Sequence, residues 1–295
     1  DSDGDPDVLA VCCEAPVPMI GWVENEGTLS FTPHVVKENW DNVNCVHAHD
    51  LDGDNDIDIL ASASYAGDIS WFENDGSENF TEHVILHTAA RPSSVCAADV
   101  DSDGDVDVLA TICVLDAVVW FENDGSENFT QHDVAYGFLR PHMVRACDLD
   151  GDGDLDIAGA AINSNKVAWW ENCGGTPLAW TEHTITSAFT GATGIDTKDV
   201  DSDGDTDVVA AAQFANSIKW WENDLISGVE DNGYLTVEYF DRFPTVVSGA
   251  LPMKLLAECK ILDIAGRRVN SENPQPGIYF LLHGDRPVQK IIKLR

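Results

Sequence analysis

Apolar residues along this chain come in short runs, each closed by a turn signal. Residues 94–134 show the pattern: "SVCAAD", "DVLATIC", "AVVWFEN" and "FTQHDV" follow one another, with Asp-Gly or Asn-Asp-Gly at the first and third junctions. The runs are rich in β-branched and aromatic residues, and none has the length or the three-to-four spacing of a helix. "DVLATIC" is apolar on both faces, as a strand covered on both sides must be. "FTEHVI" (Phe80 to Ile85) mixes polar and apolar positions, as an outer strand does.

The four-run unit recurs. Its acidic turn reads "DSDGDPDVLA" from Asp1, "DLDGDNDIDILA" from Asp50, "DVDSDGDVDVLA" from Asp99, "DLDGDGDLDIAG" from Asp148 and "DVDSDGDTDVVA" from Asp199. Two further blocks keep phase with it. One is W-x-E-N, at Trp22, Trp71, Trp120, Trp169 and Trp220; the other is F/W-T-x-H, at Phe31, Phe80, Phe129 and Trp180. Four strands per unit of about 50 residues predict a β-propeller with one four-stranded sheet per blade. The expected fold is therefore all-β, with a five-bladed propeller over residues 1–228. Its repeats fall near 1–49, 50–98, 99–147, 148–198 and 199–228. Strands count three, four, four, four and three, because the first unit begins at its second strand and the fifth has no F-T-x-H block. Open sheet edges of this kind are normally paired or covered. Strands from the tail, further blades, or a head-to-tail neighbour would each cover them.

Charge adds chemistry to this frame. The net charge is −36, which argues against nucleic acid or an anionic membrane as partner and for cations. In the acidic turn, D-x-D-x-D-G-x-x-D, alternate side chains of a tight loop point inward, and the glycine allows the left-handed turn that closes it. Carboxylates packed this closely repel unless a cation sits among them. Hard Ca²⁺ takes six to eight oxygens and suits such a set. The candidate metal ligands are Asp1, Asp3, Asp5 and Asp7 in the first loop and Asp50, Asp52, Asp54, Asp56 and Asp58 in the second. Asp99, Asp101, Asp103, Asp105 and Asp107 form the third, and Asp148, Asp150, Asp152, Asp154 and Asp156 the fourth. Asp199, Asp201, Asp203, Asp205 and Asp207 complete the series. Four sites are complete; the first has no position-one carboxylate. Ala110, at position twelve, excludes an EF-hand, which needs glutamate there.

These loops and blocks together resemble the FG-GAP/VCBS repeats, bacterial relatives of the integrin α-chain propeller, over roughly residues 1–225. The resemblance implies Ca²⁺ loops between the first two strands of each blade, on one face of a disc. It places ligands at loop positions one, three, five and nine: Asp50, Asp52, Asp54 and Asp58, and their counterparts in the later loops. The tail differs. "KILDIAGRRV" (Lys260 to Val269) and "PGIYFLLHGDRPVQKIIKLR" (Pro276 to Arg295) resemble the C-terminal type A sorting domain of type IX secretion cargo, through Asp263, Gly266, Arg267, Gly277, Tyr279 and Lys290. That likeness implies a small Ig-like β-sandwich over 229–295 and an extracellular or bacterial cell-surface location.

Other residues change the picture less. His34, His83, His132 and His183 share one slot in blades that fan apart, so a structural role is expected, with Glu24, Glu73, Glu122, Glu171 and Glu222 as strand-end hydrogen-bonding groups. Cysteine pairs Cys13–Cys45 and Cys113–Cys147 are one reading of the eight cysteines; buried free thiols are the other. "NFT" at Asn79 and Asn128 fits a glycosylation acceptor but arises from the repeat. No apolar run reaches the ~18 residues of a membrane span, and the chain, opening at Asp1 within a motif, reads as a mature or trimmed form. With no nucleophile elbow, phosphate loop or paired-acid signature, the chain is expected not to be an enzyme. The expected function is a calcium-stabilised surface structural or adhesion protein that assembles with itself head to tail, or binds a surface glycan or protein. A carbohydrate-binding lectin, with Trp40 as an exposed ring, is the alternative; a propeller-scaffold hydrolase or lyase is a more distant one.

Overall fold

The structure, a computed structural model, describes residues 4–13, 17–27 and 30–223, together with the backbone of five strands between 237 and 294. Five sheets follow one another along the chain. The first holds β1 (Val8–Cys12), β2 (Met19–Asn25) and β3 (Phe31–Glu38). The second holds β4 (Val43–His49), β5 (Asp58–Ala63), β6 (Asp68–Asn74) and β7 (Phe80–His87). The third has β8 (Pro92–Ala98), β9 (Asp107–Ile112), β10 (Ala117–Asn123) and β11 (Phe129–Tyr136). The fourth has β12 (Pro141–Cys147), β13 (Asp156–Ala161), β14 (Lys166–Asn172) and β15 (Trp180–Thr186). The fifth has β16 (Ala192–Lys198), β17 (Asp207–Ala212), β18 (Ser217–Trp221) and β19 (Val237–Glu238).

Every blade is an antiparallel meander, so its loops fall alternately at two ends of the propeller. The acidic turns and the W-x-E-N turns share one end; the β5–β6, β9–β10, β13–β14 and β17–β18 turns and the blade-to-blade connections share the other. Blade five departs from the expected three strands, because the two residues of β19 pair with Ser217 and Ile218 in the outer position.

The core lies between blades, since each sheet is apolar on both faces. Leu60, Ile69 and Trp71 of blade two pack on Val95, Val108 and Phe121 of blade three. Leu109, Val118 and Trp120 pack on Val144, Ile157 and Trp170 of blade four. Similar clusters join blades four and five, and blades one and two. Strands β5, β9 and β13 are buried at every residue, which explains why apolar and small residues dominate them.

The tail contributes β20 (Thr245–Ser248), β21 (Lys260–Asp263), β22 (Gly277–His283) and β23 (Arg286–Leu294), in the order β20-β23-β22-β21. The expected Ig-like sandwich, Gly266 and Arg267, and the side chains of Asp263, Tyr279 and Lys290 lie outside what is described.

Among the described cysteines none forms a disulfide. The pairing Cys113–Cys147 fails because antiparallel topology sends the two to opposite ends: Cys113 opens a 3-10 turn after β9, whereas Cys147 ends β12 beside an acidic loop. Cys13 is exposed after β1, while Cys45 Sγ lies against Ser94 Oγ (3.8 Å) and Val95 O (3.6 Å) of blade three.

Candidate functional site

Each of the four fully described acidic turns is folded by its own carboxylates. In loop four, Asp148 Oδ1 accepts the Gly151 N–H (2.7 Å) and its Oδ2 the Gly153 N–H (3.2 Å). Asp150 Oδ1 accepts from Asp152 N and Asp152 Oδ1 from Asp154 N, at 3.2 and 2.9 Å. Loop two repeats the scheme, with Asn55 at φ 75° where the later loops carry glycine. These are Asx-type turns, and they leave the remaining carboxylate oxygens converging on one point.

Position nine anchors the loop to the blade. Asp107, fully buried, accepts Val100 N–H on Oδ2 (3.0 Å) and Asn123 N–H on Oδ1 (2.8 Å). Asp58, Asp156 and Asp207 do the same with Leu51 and Asn74, Leu149 and Asn172, and Val200 and Asn223. The W-x-E-N asparagine is therefore half of this latch. Its side chain also donates to the position-eight carbonyl: Asn74 to Ile57, Asn123 to Val106, Asn172 to Leu155 and Asn223 to Thr206. Sequence reasoning missed this role, although the asparagine recurs in all five blocks.

Three aspartates converge in each of four loops. Ligand atoms of Asp50, Asp52 and Asp58 lie within 4.8 Å of one another, as do those of Asp99, Asp101 and Asp107, of Asp148, Asp150 and Asp156, and of Asp199, Asp201 and Asp203. Asp54, Asp103 and Asp152 stay at the loop tips outside these groups, and Asp207 is replaced by Asp203 in the fifth loop. Position seven turns elsewhere. Asp5, Asp56 and Asp105 lie against Gly27, Gly76 and Gly125 of the neighbouring turn, where a Cβ would collide with the carboxylate oxygen. Asp154 and Asp205 hold the same loop position outside the groups. Asp1 and Asp3 lie outside the described residues.

The electrostatics fit a cation. Burial pushes Asp58 and Asp156 up to about 6 and Asp107 up to about 7, against the backbone N–H bonds that pull them down; neighbouring carboxylates add to the rise. Asp52, Asp101, Asp150 and Asp201 are also raised, first by burial and then by adjacent acids. Asp99 Oδ1 is buried with no hydrogen-bond partner. A buried oxygen with no hydrogen-bond partner beside two more carboxylates fits a metal ligand.

The histidines have the structural role expected of them. Each lies on the cross-strand tryptophan and bonds the W-x-E-N glutamate. Ring centroids are 4.2 Å apart for Trp22–His34, 4.6 Å for Trp71–His83, 4.9 Å for Trp120–His132 and 4.4 Å for Trp169–His183. Nε2 of the four meets Glu24, Glu73, Glu122 and Glu171 at 2.6–2.8 Å. Trp40 is a correction. It is buried at 3% exposure, with Nε1 bonded to Asp68 and the Lys37 ammonium 4.3 Å from its ring centre, so it offers no surface for a sugar. Asn79 and Asn128 spend their amide nitrogens on Asp75 and Asp124 within the turn.

A propeller with acidic loops able to hold a metal ion in four of its blades is the class of protein that fold and site define. The FG-GAP-like repeat model matches residues 1–61, 50–110 and 148–210, and the chain belongs to that family. No curated protein shows significant sequence similarity to it. Among solved structures, it is similar to a putative 6-phosphogluconolactonase of Bacteroides fragilis (TM-score 0.57, 13% identity, 98% of this chain and 84% of that one). A catalytically inactive virginiamycin B lyase of Staphylococcus aureus with quinupristin gives 0.51 at 12% identity, over 96% and 92%. An Agrocybe aegerita lectin, recognising non-reducing terminal N-acetylglucosamine, gives 0.50 at 18% identity, over 75% of this chain; the chain spans 63% of that lectin. At these identities the likeness is one of fold. It corrects the expectation that the chain is not an enzyme: propellers of this shape include a lyase and a lactonase, so neither the fold nor missing motifs exclude catalysis. No helix among the described residues is long and apolar enough to cross a membrane.

Proposed function

We propose that this protein is an extracellular propeller, stabilised by Ca²⁺ in its acidic loops, that serves as a structural or adhesive surface component and assembles head to tail through its end blades. Calcium is the cation that all-oxygen, multi-carboxylate loops of this length favour. The tail's likeness to type A sorting domains supports export.

The observation that carries the assembly is the contrast between inner and end blades. Val100, at loop position two, is 1% exposed under blade four, whereas its counterpart Val200 in blade five is 46% exposed. Ile69 is fully buried by blade three; Ile218, its counterpart, is 46% exposed. Blade one mirrors this on its other face, where Val8 is 53% exposed and its counterpart Ile59 3%. The two bare faces have the chemistry of the two halves of every internal joint, so one copy's blade five suits another's blade one. Such a contact is heterologous and propagates.

Light scattering and electron microscopy of the full chain in calcium test this. Concentration-dependent polymers that Ile218→Asp abolishes are expected. Monodisperse particles at every concentration would overturn it.

A further inference from the structure

The joints between blades carry a repeated plug, and one joint lacks it. At three joints an aromatic ring is buried behind the turn that precedes the third strand: Trp40, Phe138 and Phe189, none more than 3% exposed. Each donates its backbone N–H to the residue just before that strand. Trp40 bonds Pro18 O at 3.3 Å, Phe138 bonds Asp116 O at 3.1 Å, and Phe189 bonds Asn165 O at 2.9 Å. Between blades two and three the equivalent bond is made by Thr88, to Gly67 O at 2.7 Å. Thr88 brings no ring, and only Ala89 and Ala90 follow it. A cleft of about 400 Å³ opens there, lined by Ser64, Tyr65, His87, Thr88, Ala89 and Arg91.

The polar groups around this cleft are held in place. Asp68, at the start of β6, accepts Trp40 Nε1 on Oδ2 (3.1 Å) and His87 Nδ1 on Oδ1 (2.5 Å). The Asp68 side chain is 18% exposed and that of His87 76%. With its Nδ1–H given to the carboxylate, the imidazole leaves Nε2 for a ligand. The pair belongs to blade two: at the same cross-strand register blade three has Ala117 and Tyr136. Arg91 stands with its guanidinium carbon 5.0 Å from the centre of the exposed Tyr65 ring, and it has no ion pair among the described residues. An unpaired cation is notable in a chain of net charge −36.

We propose that this cleft binds a carbohydrate ring bearing a carboxylate, a uronic-acid sugar. The cleft lies at the joint where the buried ring of the other three is missing. Tyr65 supplies an apolar surface for the C–H face of a pyranose, and Arg91 supplies the fork that a carboxylate takes in a two-point bond. His87 Nε2 accepts from a sugar hydroxyl. The cleft lies at the end of the propeller away from the acidic loops, where their negative field is weakest. It depends neither on metal binding nor on contact between end blades.

Calorimetric titration of the full chain in calcium, with tri-galacturonate, neutral galactotriose and a galactose sulfate as probes, tests the assignment. The uronate is expected to bind at least about tenfold more tightly than the neutral sugar, as a charge-assisted pair implies. Arg91→Gln should bring the uronate to the neutral level, and Tyr65→Ala should weaken both. Thr88→Phe, which restores the ring found at the other joints, should abolish binding without lowering the melting temperature. Equal binding of acidic and neutral sugars, preference for the sulfate, or no binding by any probe would overturn the proposal. So would uronate binding that survives Tyr65→Ala and Arg91→Gln, which keeps the test independent of whether the Thr88 variant folds.

Discussion

The Nδ2 of Asn172 reaches back one blade to the carbonyl of Val100, 3.2 Å away. Asn223 makes the same contact with Leu149 at 2.7 Å. A single asparagine thus latches its own acidic loop through its backbone, and the preceding blade's loop through its side chain. Loops three, four and five are thereby joined in series rather than folded one by one.

Asn172→Ala should lower stability by about 1–2 kcal/mol, since the Val100 and Leu155 carbonyls lose a donor and the Gly174 N–H its acceptor while the backbone bond to Asp156 stays. Thermal melts of the variant check this. An unchanged melting temperature would mean that water replaces the amide.

Removing metal should invert the pH dependence of stability. Asp58, Asp107 and Asp156 have folded-state values of about 6, 7 and 6, above the ordinary 3.8. In the metal-free protein their protonated forms are the favoured ones. The stability this contributes is full below the ordinary value and is lost as pH rises through about 6 to 7. Melting temperature in EGTA should therefore fall from about pH 5 to about pH 8. In millimolar Ca²⁺ the sign reverses, because the ion binds only ionised carboxylates and protons compete with it. Calorimetry at both ends, with and without chelator, decides; parallel slopes would rule out metal at these groups.

Position in the loop should matter more than charge. Asp107→Asn removes a converging carboxylate and weakens a two-point anchor, whereas Asp105→Asn alters a group facing Gly125. The first should cost one bound ion per chain by atomic absorption, and roughly 2–3 kcal/mol of stability, in line with a buried charged hydrogen bond. The second should leave the ion count unchanged.

The stacked histidines can be dissected in the same way. His83→Phe keeps a ring on Trp71 and loses the bond to Glu73, and His83→Ala loses both. A loss of about 1 kcal/mol is expected for the first and about 2 for the second, from the usual sizes of an aromatic pair and a part-exposed hydrogen bond. Equal losses in chemical denaturation would assign the whole effect to the bond with Glu73.

Much of this was legible in the chain. Repetition announced the blades, and the runs at Asp58–Ala63 and Asp107–Ile112 announced strands covered on both faces, because burial on two sides favours apolar residues at successive positions. The acidic turns were legible because carboxylates at alternate positions have few other uses. Trp40 was misread because sequence gives a ring's identity and not its neighbours; Asp68 and Lys37, which hold it inside, lie 28 residues after it and just before it. The two-residue β19 was unreadable for a similar reason. A strand that short has no periodicity, and only its pairing with Ser217 and Ile218 defines it.

The sequence by itself determined the blade count, the strand order within blades and the loops that gather acids, since all three follow from local pattern and its recurrence. Tertiary structure alone decided which aspartates converge, which rings are buried and which joint is left open at Thr88. Those outcomes depend on how neighbouring blades meet, and side chains some 50 residues apart are brought together only by the stacking of one sheet on the next.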